Sequence, residues 1–194
     1  MKIIKPSSSA AAVAATLLKK GGVVICPTDT VYGFLADASN KKAVEKIYNI
    51  KKRPKSKPLS LFVKDFKMAS EIAVIDEKQA KILKKFWPGK YTFILKRKQM
   101  DVGRLSIYGV KKETIAIRIP NHPFLKKLLK KVNRPLVQTS VNISTQEPLN
   151  NREAILATFE KSKLVGLIID DGNTRNAQPS KIVDLTARNL TRIR

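Results

Sequence analysis

Apolar positions come in short runs whose spacing alternates between strand and helix periods along the chain. Ser7 to Lys20 is rich in small and apolar residues, opens on serine and is followed by Gly21, which predicts a capped amphipathic helix. Val23 to Cys26 is an unbroken apolar run closed by Pro27, the pattern of a buried strand opening into a loop. Asn40 can cap a second helix, in which Ala43, Val44, Ile47 and Ile50 share one face. Leu59 to Val63 reads as a strand. Asp65 and Asp76 read as caps of two further helices, the second bearing Ala80, Leu83, Phe86 and Trp87 before Pro88 and Gly89 stop it.

Downstream, Tyr91, Phe93 and Leu95 alternate with Thr92 and Ile94, as expected for a strand. The polar, glycine-punctuated stretch from Arg97 to Lys112 predicts a hairpin or loop. Ile115, Ile117 and Ile119 then fall on one strand face, with Thr114, Ala116 and Arg118 on the other. Asn121 is expected to cap a helix that turns Phe124, Leu125, Leu128 and Leu129 inward and Lys126, Lys127, Lys130 and Lys131 outward. A strand with Leu136, Gln138 and Ser140 on one face follows. Next come a helix from Asn151, an apolar strand over Leu164 to Ile169, and a strand after Ser180. Alternating strands and helices, with strands clustered near the end, predict an α/β fold on a mixed sheet with flanking helices. We expect residues 1–194 to form one domain, since 194 residues suffice to bury a core and no linker or repeat interrupts them.

Composition narrows the class. Lys and Arg number 39 against 15 Asp and Glu, a formal net charge of +24. With an ordinary apolar fraction, that describes a folded domain with a basic surface and an acidic partner, a nucleotide or RNA. A lysine-rich proteome would produce part of the same excess. The single cysteine, Cys26, excludes an internal disulfide, and no apolar run is long enough to span a bilayer. The N-terminal stretch superficially resembles a leader, but Lys19 and Lys20 stand where a cleavage site belongs. A cytoplasmic protein without membrane contact is expected.

Candidate chemistry gathers where apolar strands end. Thr28, Asp29 and Thr30 follow one strand; Asn142 and Ser144 follow another. Two such clusters suggest one shared pocket, although turn-forming hydroxyls would look the same. Arg118, on an otherwise apolar strand, needs a carboxylate or a bound anion as partner, and its neighbours favour the anion. From Lys51 to Val63 the chain reads KKRPKSKPLSLFV: a cationic run, with Pro54 and Pro58 holding Arg53 and Lys57 on extended backbone, that runs into an apolar strand. By itself the run fits a solvated loop as well as a phosphate site. There is no GxxxxGK[ST], no GxGxxG after a strand, no HExxH and no paired CxxC, so any ATP is bound without a P-loop. His122, the only histidine, makes a poor metal site alone and is read as structural.

In order along the chain, PTDTVYG, the K-x-R of Lys51 and Arg53 with Pro58 and Leu59, WPG, IRIP, the S-x-N of Ser140 and Asn142, and PS-x-IVDLT resemble the threonylcarbamoyl-AMP synthase family, the YrdC-like proteins, in their short single-domain form. The resemblance implies a twisted YrdC/RibB-like α/β sheet with a concave, basic face. It implies condensation of L-threonine, bicarbonate and ATP into threonylcarbamoyl-AMP with release of pyrophosphate. Other proteins would then transfer the threonylcarbamoyl group to tRNA. Carried over by motif, Thr30, Phe62, Arg118 and Gln138 correspond to positions around threonine. Arg53, Lys57, Thr114, Ser140, Ser180 and Arg192 correspond to positions around ATP, with Lys51, Arg53, Ser140 and Asn142 as the catalytic signature.

Three positions depart from the family pattern. Phe62 stands where some members carry a polar residue, Thr145 stands where glycine is usual, and the match at Arg192 is loose, so that Arg194 could substitute. Mg2+ is expected to arrive with ATP, held through phosphates and water, with Asp29 as a candidate outer ligand and no protein metal site. The alternative is a non-catalytic RNA-binding protein on the same fold, for which the lysine excess speaks; retention of K-x-R and S-x-N speaks for the enzyme.

Overall fold

In a computed structural model, residues 1–99, 106–173, 177–186 and 191–192 are described. Helix starts follow local capping chemistry. Ser7 accepts the Ala10 N–H ahead of α1 (Ser8–Lys19), and Asn40 accepts the Ala43 N–H ahead of α2 (Lys41–Lys51). Asp65 does the same for α3 (Phe66–Ile72), Asp76 for α4 (Glu77–Phe86) in a full capping box with Gln79, and Asn151 for α6 (Arg152–Phe159). The helix between, α5 (Pro123–Val132), differs from expectation. Its N-cap is His122, which makes no side-chain cap bond, and Pro123 supplies the helical φ instead. Asn121 is not the cap; its backbone N–H goes to Asp29 Oδ2, 3.0 Å away.

Among the described residues one ten-stranded sheet carries all the strands. They are β1 (Lys2–Ile4), β2 (Val23–Cys26), β3 (Gly33–Asp37), β4 (Ser60–Phe62), β5 (Tyr91–Lys96), β6 (Thr114–Arg118), β7 (Leu136–Ser140), β8 (Val165–Ile169), β9 (Lys181–Asp184) and β10 (Thr191–Arg192). The order is β1-β8-β2-β3-β7-β4-β6-β5-β9-β10, with parallel and antiparallel neighbours mixed. β1 and β3 have no counterpart in the sequence pattern. β3 is buried on both faces and so shows no polar alternation, and β1 is a three-residue edge strand. The stretch Arg97 to Lys112, expected to be a hairpin or loop, connects β5 and β6, which pair antiparallel; its residues 100–105 lie outside the described set.

Two apolar layers sandwich the sheet. One joins β-strand residues such as Phe34, Leu61 and Ile117 to Ile47 of α2, Leu83 of α4 and Phe159 of α6. The other joins Val24, Leu35, Phe62 and Leu136 to α1 and α5 through Ala11, Leu18, Leu125 and Leu128. Each fully buried Leu, Ile or Phe contributes about 1.5–3 kcal/mol. The small alanines of α1 let it lie close against the sheet and α5. These two helices cover only part of their face of the sheet; the uncovered part is where polar side chains collect. Among the described residues no helix is long and apolar enough to cross a membrane.

Candidate active site

Period-two alternation fixes what stands on the uncovered area. On β4, β6 and β7 the residues Phe62, Arg118 and Leu136 pair across the strands and form a row at the edge of the α1/α5 layer. One step along, Ser60, Ala116 and Gln138 share the same face, with Ile94 paired to Ala116 on β5. They floor a cavity of about 260 Å³, whose walls include Thr30, Arg53, Pro58, Ser140, Pro179 and Ser180. A second lobe of about 340 Å³ shares Arg53, Ser140 and Pro179 with it and extends past Lys51 and Asn142 to Thr145 and Gln146.

Arg118 closes one end. Its side chain is 1% exposed, pairs with Asp29 through Nη2, donates from Nη1 to Thr30 Oγ1 at 3.0 Å and from Nε to the Gly89 carbonyl at 3.0 Å. The Phe62 ring lies 5.3 Å from its guanidinium carbon. Burial lowers the pKa of this guanidinium and the Asp29 carboxylate counteracts it. Asp29 is thus a structural carboxylate partner of Arg118, one of the two kinds of partner that the sequence left open. Asp29 lies 89 residues away in sequence, beyond the reach of any local pattern. Three of the five guanidinium N–H groups are used in these bonds, and Arg118 is also part of the cavity lining.

At the other end the S-x-N turn is held from behind. Lys51 Nζ, on the last turn of α2, donates to Ser140 O at 2.6 Å, Asn142 O at 3.0 Å and Asn142 Oδ1 at 2.6 Å. Asn142 Oδ1 also accepts from Ser140 Oγ at 2.8 Å, and Asn142 Nδ2 donates to Gln146 O. Burial, and secondarily the charge of Arg53, lower the Lys51 ammonium from its ordinary 10.5 to about 7. Arg53 is half-buried and faces both lobes, with Nε on the Lys57 carbonyl at 3.1 Å and Nη2 on the Pro58 carbonyl at 2.9 Å. It is pre-placed by its own loop and keeps three N–H groups for an anion.

The remaining sequence-derived positions divide. Ser180 is buried on the cavity wall, its hydroxyl 2.9 Å from that of Thr92, and Gln138 Nε2 donates to Ser60 Oγ at 2.6 Å. Thr114 is on the cavity face of β6 but one step beyond Ala116, outside the lining. Lys57 is exposed, lies outside the lining of either lobe, and closes a turn by its N–H on the Pro54 carbonyl. Phe62 is fully buried and meets the site only through Arg118. The Arg192 side chain and Arg194 lie outside the described residues. Sequence reasoning missed Ser60, Ala116 and Thr92, whose only signal is their parity with Phe62, Arg118 and Ile94 on their strands.

His122 sits with Nε2 4.0 Å from Asp171, and burial lowers its pKa. Among the described residues no group of three His, Cys, Asp or Glu could hold a metal. Asp29 bonds Arg118 through Oδ1 and the Asn121 N–H through Oδ2.

The chain that builds this two-lobed cavity, with an arginine at one end and an arginine, a serine and an asparagine at the other, is similar to known proteins. The Sua5/YciO/YrdC family model, described as "Telomere recombination", matches residues 16–194. A Methanocaldococcus jannaschii protein provisionally named a threonylcarbamoyl-AMP synthase is 40% identical over 174 residues, 90% of this chain and 79% of its own length. Sua5 of Pyrococcus abyssi, solved in complex with L-threonine, superposes with a TM-score of 0.89 at 31% identity over all of this chain, which spans 57% of that structure. Escherichia coli YciO superposes at 0.85 with 29% identity over 93% of its chain. With nearly its whole length matched, this chain belongs to the Sua5/YciO/YrdC family.

Proposed function

We propose that this chain is an L-threonylcarbamoyladenylate synthase, a nucleotidyltransferase that joins L-threonine, bicarbonate and ATP. The observation that carries the reading is the two-lobed cavity: Arg118 and Thr30 line one end, and Arg53 and Ser140 the other. The names of the 40%-identical relative and of the threonine complex agree with it. The single sheet supports treating residues 1–194 as one domain.

In this reading Arg118 and Thr30 hold the threonine carboxylate and hydroxyl, with Gln138 and Ser60 along the floor. The threonine amine and bicarbonate give a carbamate with loss of water. A carbamate oxygen attacks the α-phosphorus of ATP, the bond to the β-phosphate oxygen breaks, and pyrophosphate leaves with the electron pair. Arg53 and Ser140 lie where the negative charge gathers, Ser180 borders the nucleotide, and Lys51 with Asn142 keeps Ser140 in place. Holding two anions together in a walled cavity supplies proximity and charge stabilisation without a protein base. Mg2+ enters as part of the substrate MgATP, since the described residues offer it no cluster of ligands. Hand-over to proteins that modify tRNA, in the cytoplasm, completes the proposal.

The test is incubation with ATP, L-threonine and bicarbonate. Release of pyrophosphate together with threonylcarbamoyl-AMP, dependent on all three substrates, is expected; the absence of both products would overturn the reading. A non-catalytic RNA-binding protein is the second reading, favoured by the +24 charge.

A further inference from the structure

Behind the Arg53 loop lies a cavity of about 380 Å³ that the proposed reaction does not use. One wall is a single face of α2, Lys41, Val44, Glu45 and Tyr48, at the spacing of helical neighbours. Opposite stand Tyr108, Gly109, Val110 and Lys111, and Lys55, Ser56 and Pro58 close the side. The segment opposite α2 is pinned: the Tyr108 N–H donates to Ala38 O at 2.9 Å, and Gly109 O accepts from the Leu59 N–H at 2.7 Å. Gly109 has φ of 76°, and a Cβ there would meet Val44 Cγ1 at 2.8 Å. The close approach and the left-handed backbone both require glycine.

The chemistry of the walls is specific. The Tyr48 hydroxyl is turned to the Lys57 and Gly109 carbonyls, at 3.2 and 3.4 Å, so its ring and not its hydroxyl is left to the cavity. Val110 and Pro58 add apolar surface, with Val44 buried behind it. Around this stand three lysines, Lys41, Lys55 and Lys111, against one carboxylate, Glu45, which already lies 3.6 Å from Lys55. A neutral aromatic ligand would leave the cations unused, and an inorganic anion would leave the walls unused. We propose that this cavity is a second site, separate from the catalytic one, that binds a nucleoside phosphate, with its base against Tyr48, Tyr108 and Val110 and its phosphate among Lys41, Lys55 and Lys111. The volume falls within the range of small-ligand pockets. Base against ring and phosphate against lysine is equally the chemistry of a single-stranded RNA nucleotide.

Backbone amide NMR shifts on the full chain separate the two sites. Titrated AMP is expected to move Tyr108, Val110 and Lys111 along a saturation curve distinct from that of Ser140 and Ser180. The double variant Lys41→Glu, Lys111→Glu should weaken the first curve by at least about tenfold and leave the second unchanged. Both lysines are exposed, and a glutamate at position 41 sits in the first turn of α2, where it favours the helix, so folding is not at risk. A single-stranded tetra-adenylate that moves the first set where AMP does not would also support the site and make RNA its source. If neither probe moves those amides, if inorganic phosphate moves them with equal affinity, or if charge reversal leaves the curve intact, the proposal fails. Failure of the synthase reading would show elsewhere, in the Ser140 and Ser180 curve and in missing pyrophosphate.

Discussion

Arg118 and Asp29 form an ion pair at the closed end of the cavity, with both side chains nearly shut off from solvent. Asp29 Oδ2 also takes the Asn121 N–H, so one carboxylate ties the loop after β2 to β6 and to the start of α5. Asp29→Asn leaves a buried cation uncompensated and should cost about 3–5 kcal/mol. Denaturant melts of Asp29→Asn, Arg118→Gln and the double variant should show the double costing clearly less than the sum. Strict additivity would mean that the pair carries no coupling.

Arg53 and Lys57 have unequal positions, and their alanine variants should differ accordingly. Arg53→Ala removes a cation facing both lobes and should lower the rate or ATP affinity about 10- to 100-fold at unchanged fold. Lys57→Ala removes a solvated charge outside the lining and should stay within about fivefold. Steady-state kinetics with pyrophosphate detection measures both; equal losses would place Lys57 on the phosphates.

Lys51 makes stability depend on pH. Between about pH 7 and 10.5 the folded chain binds fewer protons at this site than the unfolded chain does. Stability should therefore rise with pH across that window, with the gain lost as pH falls through 7. In Lys51→Met that rise should vanish from thermal melts, while the S-x-N turn, deprived of its three donated bonds, should bind ATP more weakly at every pH.

Thr145 has φ of 75°, a left-handed conformation that is a genuine outlier for a β-branched residue. It is also the position where the family pattern usually has glycine. Thr145→Gly should relieve this strain and raise stability by about 1 kcal/mol, a shift of about 2–4 °C in Tm by calorimetry. A lower Tm would show that the threonine side chain contributes more than its backbone costs.

Helix starts were legible because Ser7, Asn40, Asp65, Asp76 and Asn151 act within three residues of themselves. Strand parity was equally local: it put Arg118 with Thr114 on one strand face and Gln138 with Ser140 on another, and strand pairing brings Arg118, Gln138 and Ser140 to one cavity. The partner of Arg118 was not legible, because strand order and not sequence distance brings Asp29 to it. The strand Gly33–Asp37 was hidden for a related reason: burial of both faces removes the polar positions that betray a strand. Likewise Pro123 took over the start of α5 from Asn121, since a fixed φ serves where a side-chain bond is missing.

The lysines of α5 offer a test of the second reading. Lys126, Lys127, Lys130 and Lys131 are all exposed, and among the contacts described only Lys127 has a side-chain hydrogen bond, to Ser8 Oγ. If they carry RNA, log affinity for tRNA should fall with log salt by about 0.9 per phosphate neutralised in duplex regions. Charge-neutral replacements should flatten that slope and spare pyrophosphate release. No binding at low salt would leave the +24 charge without an RNA role.

The row Phe62–Arg118–Leu136 is a shoreline between dry core and wet cavity, and it divides the positions that evolution or a designer can adjust. Arg118 cannot be retuned for a different amino acid without disturbing Asp29, Gly89 and the ring beneath it. One step inland from the helices, Ala116 touches no such network and has only a methyl group at the middle of the floor. The depth of the cavity, and with it the size of side chain it admits, is thus set by a residue that can be enlarged at little cost to the fold.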